Sequence, residues 1–541
     1  MLKPIILQPD YTTFRDYYQI KLPLDMEPMI PADDPVRLLS AFVEGMDLSE
    51  LYQTYDRIRK NQASPRQMLK IMSYAAMNGL FSSRDIETAC RRDINYMYLL
   101  EGMTPPDHAT LARFVSLHLS ACSKDIFSEV TFSLLGLGEI SGKTVFIDGT
   151  KIEANANRYT FVWKKSVTKN QAKLFGKISS LVAECEAMYG LRIVYRDQIS
   201  LHTLKRLRKK LYAVKQQEGI VFVHGSGKHK TALQRSVETL EAYIGKLKEY
   251  TKKLYICGDR NSYSKTDPDA TFMKLKEDAM LNGQLKPAYN LQHAVDAQYI
   301  TWLDISPRPT DVTTLVPFLK DMERHLPFKY TEIVADAGYE SEEAYVFLEK
   351  NGQEAYIKPQ NYEVSKTRTY RKDISRVENM TYLEEEDCYI CSEGRKLAAI
   401  KDRTRTNRNG YVSTETVYAC KSCSGCPRKE KCIRGNHCRT PMEERNKVLN
   451  VSKVMKEKRQ NALERITTEY GTQLRMNRSI QAEGSFAVVK EDMGLRQYLY
   501  RGKENVLAQS VLAAIAHNIN KLHFKSPGGR TGQVLTDLKT G

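Results

Sequence analysis

"TVFIDGT", residues 144–150, sets an apolar, β-branched run directly before an acid and then a glycine. The run reads as a buried strand, with a tight turn at Gly149 leading into a short extended piece, "KIEANAN". Asp148 then stands at the end of a core strand. "IVADAGY", residues 333–339, repeats the pattern: an apolar run, Asp336, and small residues after it. If these strands are neighbours, both carboxylates emerge at one sheet edge, and each raises the other's pKa unless a cation lies between them. Mg²⁺ suits such a pair, because it prefers oxygen ligands and is commonly held by one or two carboxylates plus substrate phosphate. Two such ions about 4 Å apart can activate an attacking oxygen and stabilise a leaving one in phosphoryl transfer. The third acid is Glu483 in "RSIQAEGSFAVVKEDMG", on a predicted helix. Lys490, seven residues later and on nearly the same helical face, is placed to touch a phosphate.

Outward from these acids, "AYNLQHAVDA" (288–297), "YITWLDISP" (299–307), "TEIVADAGY" and "EAYIKP" read as strands, with helices at 313–326 and 341–351 between the later ones. With the first strand, the order β-β-β-α-β-α-β matches an α/β fold with an RNase-H-like mixed sheet. The core is expected over 141–157, 256–360 and 450–525, the last part helical. Two insertions interrupt it. Residues 158–255 carry one apolar stripe at Leu201, Leu204, Leu207, Leu211 and Val214 and another at Leu233, Val237, Leu240, Ile244 and Leu247, which predicts a long helical hairpin. Residues 361–449 are Cys-rich, and 526–541 form a flexible tail.

Residues 1–140 are expected to be an all-helical N-terminal domain. In "SPRQMLKIMSYAAMNG", Ser64 is the N-cap, Pro65 the first helical residue and Gln67 the partner that completes a capping box, with Gly79 as the stop. Another helix starts near Ser83, and Asp107 caps a third through "HATLARFVSLHL". The pattern fits a DNA-binding unit and a plain helical bundle equally well.

The chain has 541 residues and a net charge of +17. Between residues 158 and 253 there are 21 Lys and Arg against 7 Asp and Glu, an excess of 14 positive charges in under a fifth of the chain. Concentrated charge of this sign attracts polyanions, nucleic acid first among them. No apolar run reaches the ~18 residues of a membrane span, and "MLKPIILQPD" lacks the form of a secretory signal, so a cytoplasmic, nucleoid-associated location is expected.

Seven of the eleven cysteines fall between 388 and 438. The spacing C-x-x-C followed by C-x-x-C-x-x-C is that of a zinc ribbon rather than a disulfide scaffold in a reduced compartment. Cys391, Cys423, Cys426 and Cys432 are the expected Zn²⁺ ligands, with Cys388 and Cys420 as substitutes. Asp267, Asp269 and Asp296 read as caps and turns or as groups behind the acids. Asn290 and Gln292 read as facing either the acids or a solvated edge.

The motifs "PDHATLARF", "VFIDGTKIEANAN", "SKTDPDATF", "PAYNLQHAVDA", "IVADAGYES" and "RSIQAEGSFAVVK", in that order, resemble those of DDE transposases of bacterial insertion sequences with an InsH-type N-terminal domain and an RNase-H-like catalytic domain. The resemblance spans most of the chain. It implies that Asp148, Asp336 and Glu483 are the catalytic triad holding Mg²⁺ or Mn²⁺, and that Lys490 is the signature lysine. It further implies cleavage at terminal inverted repeats, transfer of the 3′-hydroxyl ends to target DNA, and a homodimer or larger synaptic assembly. Better-known relatives place an arginine four residues before the glutamate. Here that position is Ser479, with Arg478 five before, which argues against a role for Arg478. Two rival readings keep the fold but drop the reaction: a catalytically silent, domesticated DNA-binding protein, and an RNase-H-like nuclease that hydrolyses without joining.

Overall fold

A long strand, Thr144–Glu153, lies at the centre of a six-stranded mixed sheet. The computed structural model describes residues 29–532, except Arg59, 196–198, Ser226, 276–282, 436–437 and Arg439. Before the strand come seven helices: α1 (Pro35–Glu44), α2 (Ser49–Gln53), α3 (Pro65–Met77), α4 (Ser83–Arg92), α5 (Ile94–Leu100), α6 (His108–Arg113) and α7 (Ser120–Gly136). The local signals hold. Ser64 and Gln67 form the reciprocal capping box of α3, and Asp107 accepts from Thr110 N to cap α6. A π-helical turn, Phe114–Leu119, fuses α6 to α7.

The long strand is β1. Next come β2 (Phe161–Trp163), α8 (Lys164–Tyr189), α9 (Leu201–Gln217), α10 (Ala232–Cys257), β3 (Ser262–Ser264) and β4 (Thr271–Lys274). The sheet is completed by β5 (Leu285–Asp296), β6 (Tyr299–Ser306), α11 (Leu315–His325), β7 (Glu332–Ala335), α12 (Glu342–Lys350) and β8 (Glu354–Ile357). β1 pairs antiparallel with β5 on one side and parallel with β7 on the other, and β8 runs parallel beyond β7. The far edge of β5 is shared: β6 covers Asn290–Asp296 and β4 covers Leu285–Ala288.

The first insertion differs from the expected hairpin. Three helices, α8 to α10, surround a core of their own that includes Ile178, Leu204, Leu207, Leu211, Val237 and Leu240. The third helix escaped the pattern reading because the apolar positions of α8 are sparse and separated by polar residues. β2 and β3 pair at the base of the bundle.

The second insertion opens with two four-residue helices, α13 (Tyr362–Ser365) and α14 (Arg368–Arg371). It then forms β9 (Thr381–Leu383), β10 (Cys388–Ile390), β11 (Lys396–Thr406), β12 (Val412–Cys420), α15 (Lys429–Cys432) and β13 (Val448–Val451). Its five strands make a separate antiparallel sheet in the order β13-β12-β11-β10-β9. Then follow α16 (Lys453–Thr467), α17 (Glu469–Arg478), a π turn (Ser479–Glu483), α18 (Gly484–Ala487), a second π turn (Val488–Asp492) and α19 (Lys503–Lys525).

α19 changes the domain picture. It is apolar on all sides, as in "NVLAQSVLAAIAHNI", and so must be enclosed. It packs against α3, α7 and β6, so the N-terminal helices and the central sheet share one continuous core rather than two. The open edge of β6 is closed by a side chain: Asn518 accepts from Ile300 N at 2.8 Å and donates to Ile300 O at 2.7 Å. Among the described residues no helix is long and apolar enough to cross a membrane.

Candidate active site

The position of the two aspartates follows from strand register. β1 and β7 pair in parallel from Thr144↔Glu332 to Ile147↔Ala335. Asp148 and Asp336 are the next residue on each strand, so adjacent backbones about 4.8 Å apart carry them side by side. Asp336 leads directly into a single 3₁₀ turn, Ala337–Tyr339.

Asp148 does not end its strand, contrary to the expectation. β1 continues to Glu153 because β5 pairs with it from Phe146 to Glu153. Gly149 is therefore not a turn residue. A Cβ there would come within 2.3 Å of Gln292 Nε2 and 3.0 Å of Tyr339 Oη, so glycine is required by close approach. Gly149 N also donates to Asp148 Oδ1 at 2.8 Å.

Glu483 arrives from the helical side, at the end of the first π turn. Arg478 links all three acids. Its Nη1 lies 3.2 Å from Asp148 Oδ2, and its Nη2 lies 3.3 Å from Glu483 Oε1 and 3.8 Å from Asp336 Oδ1. The sequence reading discounted Arg478 because five residues on an α-helix lie on different faces. A π turn bonds i to i+5, so here five residues bring the arginine and the glutamate together. Exposure grades the site: Asp148 is 18 % exposed, Asp336 45 % and Glu483 59 %.

Lys490 lies within the second π turn and is only 8 % exposed. Its expected position on Glu483's open face assumed uninterrupted α geometry, which the π turns alter.

A buried polar network lies beneath the acids. Asp311 Oδ1 accepts from Asn290 Nδ2 at 2.7 Å and from Gln292 Nε2 at 3.1 Å. Tyr339 Oη donates to Gln292 Oε1, and Thr314 Oγ1 donates to the same oxygen at 3.3 Å. Burial, reinforced by the charges of Asp311, Asp148 and Asp336, keeps the Tyr339 hydroxyl protonated. Asn290 and Gln292 thus face inward, toward the acids' supports, and are not a solvated edge. Asp311 and Tyr339 were missed. Asp311 lies in "RPTDVTT", a connection that the sequence marks only as a turn, while Tyr339 sits in a quoted motif without a periodic signal.

The other acids have structural partners. Asp296 accepts from Ser141 N and Gly142 N, both at 2.9 Å. Asp269 Oδ2 accepts from Lys503 N at 3.0 Å at the start of α19. Asp267 accepts from Tyr289 Oη at 2.8 Å.

The helix carrying Glu483 is tied to β5 by His293, which sits opposite Asp148 in the ladder. Its ring stacks on Phe486 with centroids 4.3 Å apart, and Nδ1 lies 3.3 Å from Ser485 Oγ. Complete burial, then the neighbouring His517, lowers the His293 pKa to about 3.

In the second insertion, Cys391, Cys423, Cys426 and Cys432 line one small cavity of about 20 Å³, and Cys420 joins them. Burial raises the Cys420 and Cys432 thiols. Cys388 lies apart, with its thiol 3.8 Å from Glu386. Among the described residues no cluster of three or more His, Cys, Asp or Glu is arranged to hold a metal ion, here or at the acids. At the acids the physical reason is visible: all three carboxylates are turned onto the Arg478 guanidinium.

Two aspartates on paired strands and a glutamate on a crossing helix define a three-carboxylate site on a mixed α/β sheet. A family model described as Transposase DDE domain matches residues 390–523, and another described as Transposase domain matches residues 24–117. Together they indicate an insertion-sequence DDE transposase. The first match includes Glu483 and the four cysteines, while Asp148 and Asp336 lie outside both. No curated protein and no solved structure matches the chain.

Proposed function

We propose that the protein binds the terminal inverted repeats of an insertion sequence, cuts DNA there, and joins the 3′-hydroxyl ends to target DNA. The observation that carries this reading is the convergence of Asp148, Asp336 and Glu483 on a single positive group, Arg478. The sheet supports an RNase-H-like arrangement: β5 and β6 run antiparallel on one side of β1, and β7 and β8 parallel on the other.

Three carboxylates, all with oxygen donors and already gathered around one cation, fit Mg²⁺ or Mn²⁺. Bound there, the metal lowers the pKa of the attacking water or hydroxyl and stabilises the leaving oxygen. The chain's own contribution is positional. The β1–β7 ladder holds Asp148 and Asp336 in register, the Gln292–Tyr339–Asp311 network packs against Gly149, and the π turn presents Glu483. No covalent enzyme intermediate is needed, since the DNA 3′-hydroxyl can itself attack the target phosphodiester in line.

The excess positive charge of residues 158–253 supports a DNA backbone contact by the three-helix insertion, and the N-terminal helices are assigned to end recognition. The Cys391, Cys423, Cys426 and Cys432 sulfurs around one cavity support a structural Zn²⁺. Joining two ends calls for a dimer or larger assembly.

The test is strand transfer from a pre-cut terminal repeat in Mg²⁺. Asp148→Asn is expected to reduce joined product by about a thousandfold or more, the order of a lost transition-state interaction of ~4 kcal/mol, while end binding is kept. Unreduced joining in this variant would sink the assignment. Hydrolysed product without any joined product in the natural protein would favour the nuclease reading.

A further inference from the structure

A second site lies at the junction of the sheet with both insertions. A cavity of about 500 Å³ is bordered by Trp163 at the base of the three-helix bundle, β4, the Pro307–Pro309 segment after β6, and Arg408 in the β11–β12 turn. Its size falls within the roughly 300–1,000 Å³ typical of small-ligand pockets, too small for a duplex. The lining combines two chemistries. One is aromatic: the half-buried Trp163 indole lies 6.0 Å from the buried Phe272 ring, centroid to centroid. The other is cationic: Arg260, Lys274, Arg308 and Arg408, against the single acid Asp259.

Arg260 is committed to the carbonyls of Ile256 and Asp269, both at 2.7 Å. Arg308 is held in place by Thr313 O at 2.9 Å and Asn409 Oδ1 at 2.7 Å. Burial and the nearby Arg408 lower its pKa, and Asp259 and Glu343 offset this only in part. Two guanidiniums brought together against their own repulsion form a complement to phosphate. An aromatic face beside that charge is the combination that receives an unstacked base and its backbone.

The cavity also adjoins the acids. Arg308 O accepts from Asn290 Nδ2 at 3.1 Å, and Asn290 pairs with Lys151 on β1. Lys151 is three residues from Asp148, about 10 Å along a strand.

We propose that this cavity takes one unpaired nucleotide of the DNA end, with its base on Trp163 and its phosphate on Arg308 and Arg408. The proposal rests on the DNA-processing reading above. It makes the junction of sheet, bundle and Cys-rich sheet a sensor of single-stranded character next to the cleavage position.

The test compares binding of two probes by fluorescence anisotropy: a blunt duplex of the element's terminal sequence, and the same duplex with a short single-stranded overhang containing 2-aminopurine. The natural protein is expected to bind the overhang roughly tenfold more tightly and to change the 2-aminopurine emission. Trp163→Ala and Arg408→Gln are each expected to lose that gain while keeping blunt-duplex affinity. Arg408 is exposed in a turn, so its variant reads the site without endangering the fold. An overhang gain that survives both substitutions, or no gain in the natural protein with blunt duplex still bound, overturns the proposal. Failure to bind either probe instead overturns the DNA-processing reading on which it rests.

Discussion

Asp148 and Asp336 reach the site on backbone, whereas Glu483 reaches it on side-chain contacts. The aspartates follow four consecutive parallel pairs between β1 and β7, and β1 is locked on its other side by β5. The glutamate follows a π turn whose ties to the sheet are Arg478, the His293–Ser485 contact, the Phe486 stack and a bond from Gln298 N to Gln481. Two acids are thus set by a ladder and the third by a seam. A ladder fails only when the sheet does, while a seam fails when one of its few contacts is lost.

Acidification strikes the seam most strongly. His293 and His517 are held neutral by burial, with pKa values of about 3 and about 4 against an ordinary 6.5. Between pH 6.5 and pH 4 the unfolded chain takes up these protons and the native protein does not, so stability falls as pH falls. Each histidine contributes about 1.4 kcal/mol per pH unit. Urea unfolding between pH 7 and pH 5 measures this slope, and His293→Asn should reduce it; an unchanged slope would remove His293 from the seam. The pH limits follow from those shifts.

Two glycines set the ladder against the seam directly. Gly149→Ala places a methyl group against the buried Gln292 amide and should destabilise by about 1–3 kcal/mol. Gly484→Ala, next to Glu483, meets nothing within 4 Å and should stabilise by about 0.5–1 kcal/mol through helix propensity. Thermal melts of the pair, compared with strand-transfer rates, check both. Equal effects would mean that the helix is as tightly packed as the strand.

The smallest change is expected from Arg478→Gln. Breaking a buried ion pair costs ~3–5 kcal/mol, but this one is partly solvent-exposed, so about 1 kcal/mol is expected without metal. The thermal shift on adding Mg²⁺ should then be larger in the variant than in the natural protein. A smaller shift would show that the arginine supports metal binding rather than competing with it.

What the sequence disclosed follows the same division. Alternation and apolar runs marked β1, β5, β6, β7 and β8 and the acids they carry, because side-chain period and strand burial are properties of the residues themselves. The extent of β1 past Asp148 was not legible, since it depends on pairing with β5. Arg478 was misjudged because widening of a helix to π geometry leaves no compositional mark. The shared core of the N-terminal helices and the sheet was hidden for another reason: α19, which joins them, lies nearly four hundred residues from α7. Asp311 entered the site from a loop, where only tertiary packing gives a turn acid a partner.

The antiparallel pairing of β2 with β3, Phe161↔Ser264 to Trp163↔Ser262, has a consequence for how the chain assembles. Once those two short strands meet, about a hundred intervening residues are pinched off, and the sheet need close only the remaining short stretches of chain. Loop-closure entropy grows only with the logarithm of length, so even a bundle of altered size between the same pinch points would leave the assembly of β1 with β5 almost undisturbed.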